Sequence, residues 1–549
     1  MSTMYAFLRA RFAGRARTFP AAQVFVALVL LLSCALPATV AHAGGFYLLD
    51  RGARALSMGG AFVASPDDPS ALWYNPAGLI ESKNQVVTDA VLPVLLADMR
   101  RKHADGTYSP RITARPTPIP IPTLAFSHTL GSDNLVLGGG IFAPMMFLMN
   151  WENSVLNPDT GQRDPPPTRY SLMELKGSVL ANLSAGLAYK LGPLAIGFDV
   201  QVPIGYFRAK TALTACDAVI CSFPEQKDFD AYASVATIPT YGISGVGGII
   251  LNLDAVRFGF SAMLPYTLRG SGKLKVKLPS NVLFEDAQVE GNDASISVKF
   301  PLILRAGGEM RPLPYLRMSG AFVWEQWSSQ KSIDIDVKKT TIKNVTGLGD
   351  YDVGNIKLQR NMNDTWSLRG GFELTVPKKW MVVDIDIQLR GGLAYETGAF
   401  TNKTLSPITL DTNKWVLSGG LTVGLASWLR FDGVAGWIFM KNVDVDDGTI
   451  TQPQAIRPKL ETFPTTINNG QYAQEAFFVG GGFRALMGGA SFREPTVKRD
   501  RRHKREDSVE GDSSDEPDAP KGGVPNILDE EEPPDVELGA DKQDDEDDE

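Results

Sequence analysis

Arg208 and Lys210 flank a single alanine in Tyr206-Phe207-Arg208-Ala209-Lys210. They are the first two candidates for holding an anion, because charge-assisted hydrogen bonds to a carboxylate or phosphate are the strong ones. Lys331 is a third. The alternative for all of them is a solvated strand end, or pairing with phosphates of lipopolysaccharide. An oily ligand needs an apolar trench as well. Pro144-Met145-Met146-Phe147-Leu148-Met149-Asn150-Trp151 offers one, since Met145, Met146, Phe147, Met149 and Trp151 are too much adaptable apolar surface to leave idle. Two readings stand for this stretch, a capture groove and a plug that folds down to seal an opening. Cys216 and Cys221 lie close enough to close a small loop disulfide in an oxidising compartment, and their spacing fits neither a CxxC redox pair nor a zinc site. Covalent catalysis has little to work with. The chain has 4 histidines, and the Ser127-His128 pair cannot cooperate within a strand, where neighbours point to opposite faces. There is no nucleotide motif, metal constellation or energy-coupling segment, so no cofactor and no nucleic-acid partner is expected.

The elements that must carry these residues read as strands. From Val383 to Arg390, Val383, Ile385, Ile387 and Leu389 alternate strictly with Asp384, Asp386, Gln388 and Arg390, giving one oily and one wet face. The pattern recurs at Trp366 to Leu374 and at Leu304 to Met310, where Arg305 and Glu309 oppose Leu304, Ala306 and Met310. About 14 strands are predicted, near 84–97, 120–130, 134–143, 172–190, 193–207, 239–252, 255–276, 294–310, 314–338, 355–376, 381–397, 413–425, 429–442 and 472–486. Tight turns such as 131–133, 191–193 and 253–254 alternate with long polar connections at 98–119, 208–238 and 442–471. An even strand count with short turns at one end and long loops at the other is the layout of a transmembrane antiparallel β-barrel. No run of 18 apolar residues occurs, which argues against an inner-membrane helical protein.

Gly44 to Leu79, reading GGFYLLDRGARALSMGGAFVASPDDPSALWYNPAGL, resembles the N-terminal hatch of the long-chain fatty acid and aromatic hydrocarbon outer membrane transporter family. The matched elements are Gly45-Phe46, the small-residue run Gly52-Ala53-Arg54-Ala55 with Gly59-Gly60-Ala61, and Asn75-Pro76-Ala77-Gly78-Leu79. Tyr315 to Lys331, Asn363 to Leu374 and Leu410 to Val445 look like late barrel strands of the same family. The resemblance implies an all-β barrel of 14 strands with the hatch folded inside, and passive, hatch-gated uptake of long-chain fatty acids or similar hydrophobic compounds. The alternatives are an aromatic hydrocarbon channel and a nonspecific porin or structural barrel. It also implies that Arg208 contacts the cargo in the barrel, and that cargo leaves sideways beside the third strand. Gly138, Gly139 and Gly140 fall there and suit a bulge or a close approach. Asn75, Pro76 and Ala77 would be their neighbours across the gate.

The expected domains are a signal peptide at 1–43, the hatch at 44–83, the barrel at 84–493 and a disordered tail at 494–549. Arg9, Arg11, Arg15 and Arg17 precede the apolar run Val24 to Leu36, and Ala41-His42-Ala43 is a cleavage pattern. Leu31-Leu32-Ser33-Cys34 competes with it as a lipoprotein site. The tail turns from basic, Lys498 to Arg505, to strongly acidic, ending Asp544-Asp545-Glu546-Asp547-Asp548-Glu549, as solvated segments do. These features point to the bacterial outer membrane, a monomer, contact with outer membrane lipids and lipopolysaccharide, and delivery by the barrel assembly machinery.

Overall fold

Period-two alternation obliges each strand to present an oily and a wet face. In the computed structural model the oily face points outward around a closed wall. The structure describes residues 50–487 except 117, 144–149, 159, 176–177, 217–220, 224, 348, 383–384, 409 and 454–464.

Fourteen strands form the wall: β1 (Gln85–Arg101), β2 (Ile121–Thr129), β3 (Leu135–Phe142), β4 (Val179–Leu191), β5 (Leu194–Tyr206), β6 (Ser244–Leu253), β7 (Val256–Met263), β8 (Ile303–Leu313), β9 (Leu316–Glu325), β10 (Thr365–Thr375), β11 (Ile387–Glu396), β12 (Lys414–Ala426), β13 (Leu429–Met440) and β14 (Gly470–Leu486). Each pairs antiparallel with the next. The ring closes where β1 pairs with β14 from Gln85 opposite Leu486 to Arg101 opposite Gly470. No edge is left, as a lipid solvent requires. Phe126, Phe198, Phe260, Phe372, Trp415 and Phe483 are exposed outward, whereas Gln201, Arg305, Glu373, Arg390 and Asp432 are buried inside. A soluble sandwich buries its oily face; this wall exposes it.

On the long-loop side, strands continue past the wall. Arg208–Thr214 pairs with Asp230–Thr237, then Tyr266–Lys277, Asp293–Phe300, Ser332–Lys338 and Ile356–Gln359 follow in order. The expected loop at 208–238 is therefore largely a strand pair. Several of its inward residues are small, including Thr211, Ala231 and Ala233, and Ala212 and Thr214 on the other side are buried too, so the alternation is weak in the sequence. The long connection at 98–119 likewise holds a short strand, Ile112–Arg115. Conversely, β11 begins at Ile387 rather than near 381, and Lys378–Trp380 forms a 3-10 turn. Cys216 and Cys221 are joined, with Cα atoms 5.4 Å apart. The leader, the whole tail and Met145, Met146, Phe147 and Met149 lie outside the described residues.

Candidate functional site

Inside the wall lies the N-terminal segment, with helices α1 (Ala53–Ser57), α2 (Ala71–Tyr74) and α3 (Leu79–Ser82) and a 3-10 turn, Pro76–Gly78. Such short helices are not stable alone; caps and wall contacts hold them. Asn75 Oδ1 accepts the Ala77 N–H at 3.2 Å, and Pro76 starts the turn where a missing N–H is harmless. Gly59 and Gly60 turn the chain at φ 64° and 75°, a region that favours glycine.

The wall makes room for this segment with glycines. A methyl group on Gly197 would lie 2.3 Å from the Ala77 nitrogen, one on Gly259 2.4 Å from the Val63 carbonyl, one on Gly371 2.4 Å from the Met58 carbonyl and one on Gly392 2.0 Å from the Gly59 nitrogen. These four glycines come from β5, β7, β10 and β11, so the segment is ringed by backbone. The correction concerns the expected gate. Asn75, Pro76 and Ala77 do not face Gly138, Gly139 and Gly140; they meet Gly197 and Gly248 on β5 and β6, and Asn75 Nδ2 donates to the Ile249 carbonyl at 3.0 Å. Gly138 instead faces Leu79. Through Gly138–Gly140, β3 pairs without a register break to both β2 and β4, so there is no bulge there.

Two different kinds of contact fasten the segment. Toward β8–β14 the contacts are ionic and buried. Arg54 meets Asp67, Asp68 (3.2 Å) and Glu373 (3.1 Å); Arg317 meets Asp67 (2.9 Å) and Glu373 (2.8 Å). Arg390 links Glu373 (2.7 Å) to Asp432 (3.3 Å), which Arg484 holds at 2.8 Å. Asp50 pairs with Arg369, which neighbours Glu396 at 3.6 Å. Toward β3–β6 the contacts are neutral: Leu79 on Gly138, Leu72 on Gly186 and the single Asn75 amide bond. Buried pairs add little net stability, because desolvation offsets attraction, but removing one partner strands the others at a cost of several kcal/mol.

Above the segment one apolar cluster runs continuously from Leu72, Trp73 and Leu79 through Phe142, Phe207, Tyr266, Phe300 and Trp327 to Leu172, Phe400 and Ile408 in the long connections. Trp151 is buried in it, its Nε1 donating to the Pro407 carbonyl at 3.0 Å. Where this cluster meets the ionic side, a small cavity is lined by Leu56, Trp73, Ile303, Asp50, Arg305, Glu325, Arg369 and Glu396. It leaves about 40 Å³ in which the centre of a water molecule can lie, space for a few waters and not for an acyl chain. Arg305 is 3 % exposed, and its Nη1 has no hydrogen-bond partner among the described residues. Sequence reading placed Arg305 on the wet face of its strand but did not single it out.

Arg208 lies elsewhere. It pairs with Ala236, which pairs with Lys273, and all three sit on the outward side, whereas Ala209, Val235 and Leu274 turn inward. Its side chain is exposed outside the wall and does not line the lumen, a correction to the expected role. Lys210 shares that side, its Nζ 5.6 Å from the Tyr232 ring centre, and Lys331 is exposed in a connection. Beyond the wall, Arg169 (2.7 Å) and Tyr170 (2.5 Å) hold Asp230, and burial keeps its carboxyl above the ordinary carboxylate range.

Residues 34–462 match the family model described as outer membrane protein transport protein (OMPP1/FadL/TodX). The fold resembles a Pseudomonas aeruginosa FadL homologue (TM-score 0.61, 15% identity, covering 81% of this chain and 100% of that one). It also resembles the Pseudomonas putida toluene transporter TodX (0.53, 14%, covering 82% and 100%) and the Ralstonia pickettii toluene transporter TbuX (0.51, 15%, covering 80% and 100%). A Neisseria meningitidis serogroup B protein assigned to the outer membrane is 31% identical over 142 residues, 23% of this chain and 29% of that protein's length.

Two substitutions test how the segment is held. Glu373→Gln leaves Arg54, Arg317 and Arg390 short of a counter-charge, and is expected to cost about 3–5 kcal/mol, read as a lower melting temperature and faster proteolysis near residues 44–83. Gly197→Val is expected to release the segment to protease while the wall keeps its heat-modifiable electrophoretic mobility. Unchanged proteolysis in both variants would mean that neither contact docks it.

Proposed function

The chain belongs to the outer membrane protein transport family and is an outer membrane transporter of hydrophobic compounds; from that premise we propose that its cargo is a long-chain fatty acid. The observation that carries this reading is buried Arg305, whose Nη1 has no hydrogen-bond partner among the described residues, at the foot of a continuous apolar cluster. An acyl chain gains by leaving water for the apolar cluster, and a carboxylate gains a charge-assisted bond at its end. The cavity is too small for that ligand as it stands, so entry requires the N-terminal segment to shift. That segment therefore acts as the hatch. It pivots on its ionic side and moves along its neutral side, β3–β6, and cargo departs sideways through the wall there. Movement is passive, driven by the cargo gradient. A filled lumen speaks against a nonspecific porin. Uptake of an aromatic hydrocarbon is the second reading, supported by the likeness to two toluene transporters.

The first test titrates the purified protein in detergent with oleate and, separately, with toluene. Oleate binding weakened about tenfold, or roughly 1.4 kcal/mol, by Arg305→Ala and unchanged by Arg208→Ala is the expected result. Binding of toluene with no binding of oleate moves the protein to the hydrocarbon reading. The hatch is tested by a disulfide between Asn75→Cys and Gly248→Cys, positions where an added Gly248 Cβ lies 2.9 Å from Asn75 Cγ. Uptake is expected to fall on oxidation and recover on reduction, with Gly248→Cys alone as control. Uptake that ignores the crosslink excludes hatch movement at this face.

A further inference from the structure

Outward positions on the wall change character in one step. Along β7 and just past it, outward residues are apolar from Val256 through Phe260 to Leu264. That is about 26 Å of strand, or about 20 Å of height at the usual tilt, close to the apolar band of an outer membrane barrel. Tyr206, Tyr241 and Ile243 follow on β5 and before β6, with Tyr241 62% and Ile243 77% exposed. Aromatic residues of this kind mark a membrane interface.

Immediately beyond them the outward positions become cationic. Arg208 follows Tyr206, and Arg269 pairs directly with Tyr241. Lys273, Lys275 and Lys277 continue the same strand, and Lys299 stands opposite Thr267 on the next. Register puts Arg208 and Lys273 on either side of Ala236, and Lys210 and Lys275 on either side of Ser234. Two acids share this side: Asp293, which Lys273 holds at 2.6 Å, and Glu174, which stands opposite Lys210 at the border. Arg208, Arg269, Lys275, Lys277 and Lys299 have no ion pair within the described residues. On the following strand Lys338 stands opposite Asp293, and the outward residues then turn acidic with Asp336 and Asp334, which bound the patch.

We propose that this face, built by Arg208, Arg269, Lys273, Lys275, Lys277 and Lys299, binds the phosphate groups of an acylated, phosphorylated glycolipid of the outer leaflet. The inference rests on the outer membrane location and is independent of the cargo. Its warrant is continuity. A lipid whose acyl chains lie on Phe260 and Leu264 carries its headgroup past Tyr241, where the cations begin. A soluble anion would have no use for the apolar surface below. Like charges so close together also repel unless a counter-anion is present, which gives the bound lipid a stabilising role.

The test uses the full-length protein in vesicles containing lipid A in its bisphosphorylated or fully dephosphorylated form, with bound lipid counted by native mass spectrometry. The expected result is retention of the bisphosphorylated form at least tenfold over the dephosphorylated one. The triple variant Arg208→Gln, Arg269→Gln, Lys275→Gln is expected to lose that preference, while Lys379→Gln, in the exposed turn at the opposite, short-turn end of the wall, keeps it. Equal retention of both forms, or a preference unchanged in the triple variant, overturns the proposal. Displacement of the lipid by millimolar inorganic phosphate also overturns it, leaving a simple anion site. If the triple variant does not assemble, the Arg269→Gln and Lys275→Gln single variants carry the same comparison.

Discussion

Hydrocarbon offers no partner for a backbone N–H or carbonyl, and the whole molecule answers that one constraint. It forces the first wall strand to pair with the last along their full length. Closure then sets the rest: one face of every strand must be oily, and the other must look onto an interior that has to be filled or left wet. Here it is filled from the N-terminal side, and the wall's own glycines make the filling possible. At Gly197, Gly259, Gly371 and Gly392 main chain meets main chain, so side-chain volume hardly enters.

The interior is divided by chemistry. From β8 to β14 the lumen face carries a run of arginines and carboxylates that grip the N-terminal segment, and Arg54 reaches Glu373 across a sequence gap of 319 residues. From β3 to β6 contact is by Leu72, Leu79 and the Asn75 turn. Ionic contacts are sensitive to loss of a partner, neutral ones to loss of fit. One side is therefore held by ion pairs and the other by fit. Arg305, on β8, lines the small cavity where the apolar cluster meets the ionic side.

Much of this was legible in the sequence. Alternation at Trp366 to Leu374 and Leu304 to Met310 located β10 and β8, because lipid on one side and charge on the other leave a strong period-two signature. The same rule reaches less far at Val383 to Arg390, where Val383 and Asp384 lie outside the described residues and β11 begins at Ile387. It was silent at Arg208–Thr214, where small inward residues blunt the contrast. Arg208, expected at the end of β5 and facing the lumen, begins a separate strand, Arg208–Thr214, and faces outward. Alternation along β5, with Phe198, Ile204 and Tyr206 outward, carries through buried Phe207 and puts Arg208 on the outward side too; its charge suggested the lumen, but its place in the alternation decides. The partner of Asn75 was misjudged for a different reason: which wall strand a short internal turn meets depends on how the segment lies in three dimensions.

The seam between β1 and β14 has a consequence for how the molecule is made. The N-terminal segment leaves the translocation machinery first and the last wall strand emerges nearly last, yet the segment ends up enclosed by both. A ring already shut would exclude it, since the interior it occupies is lined by backbone at van der Waals distance. Shutting the seam and enclosing the segment are thus one packing problem, and a circularly permuted chain with the same contacts would meet it with its wall cut at another place.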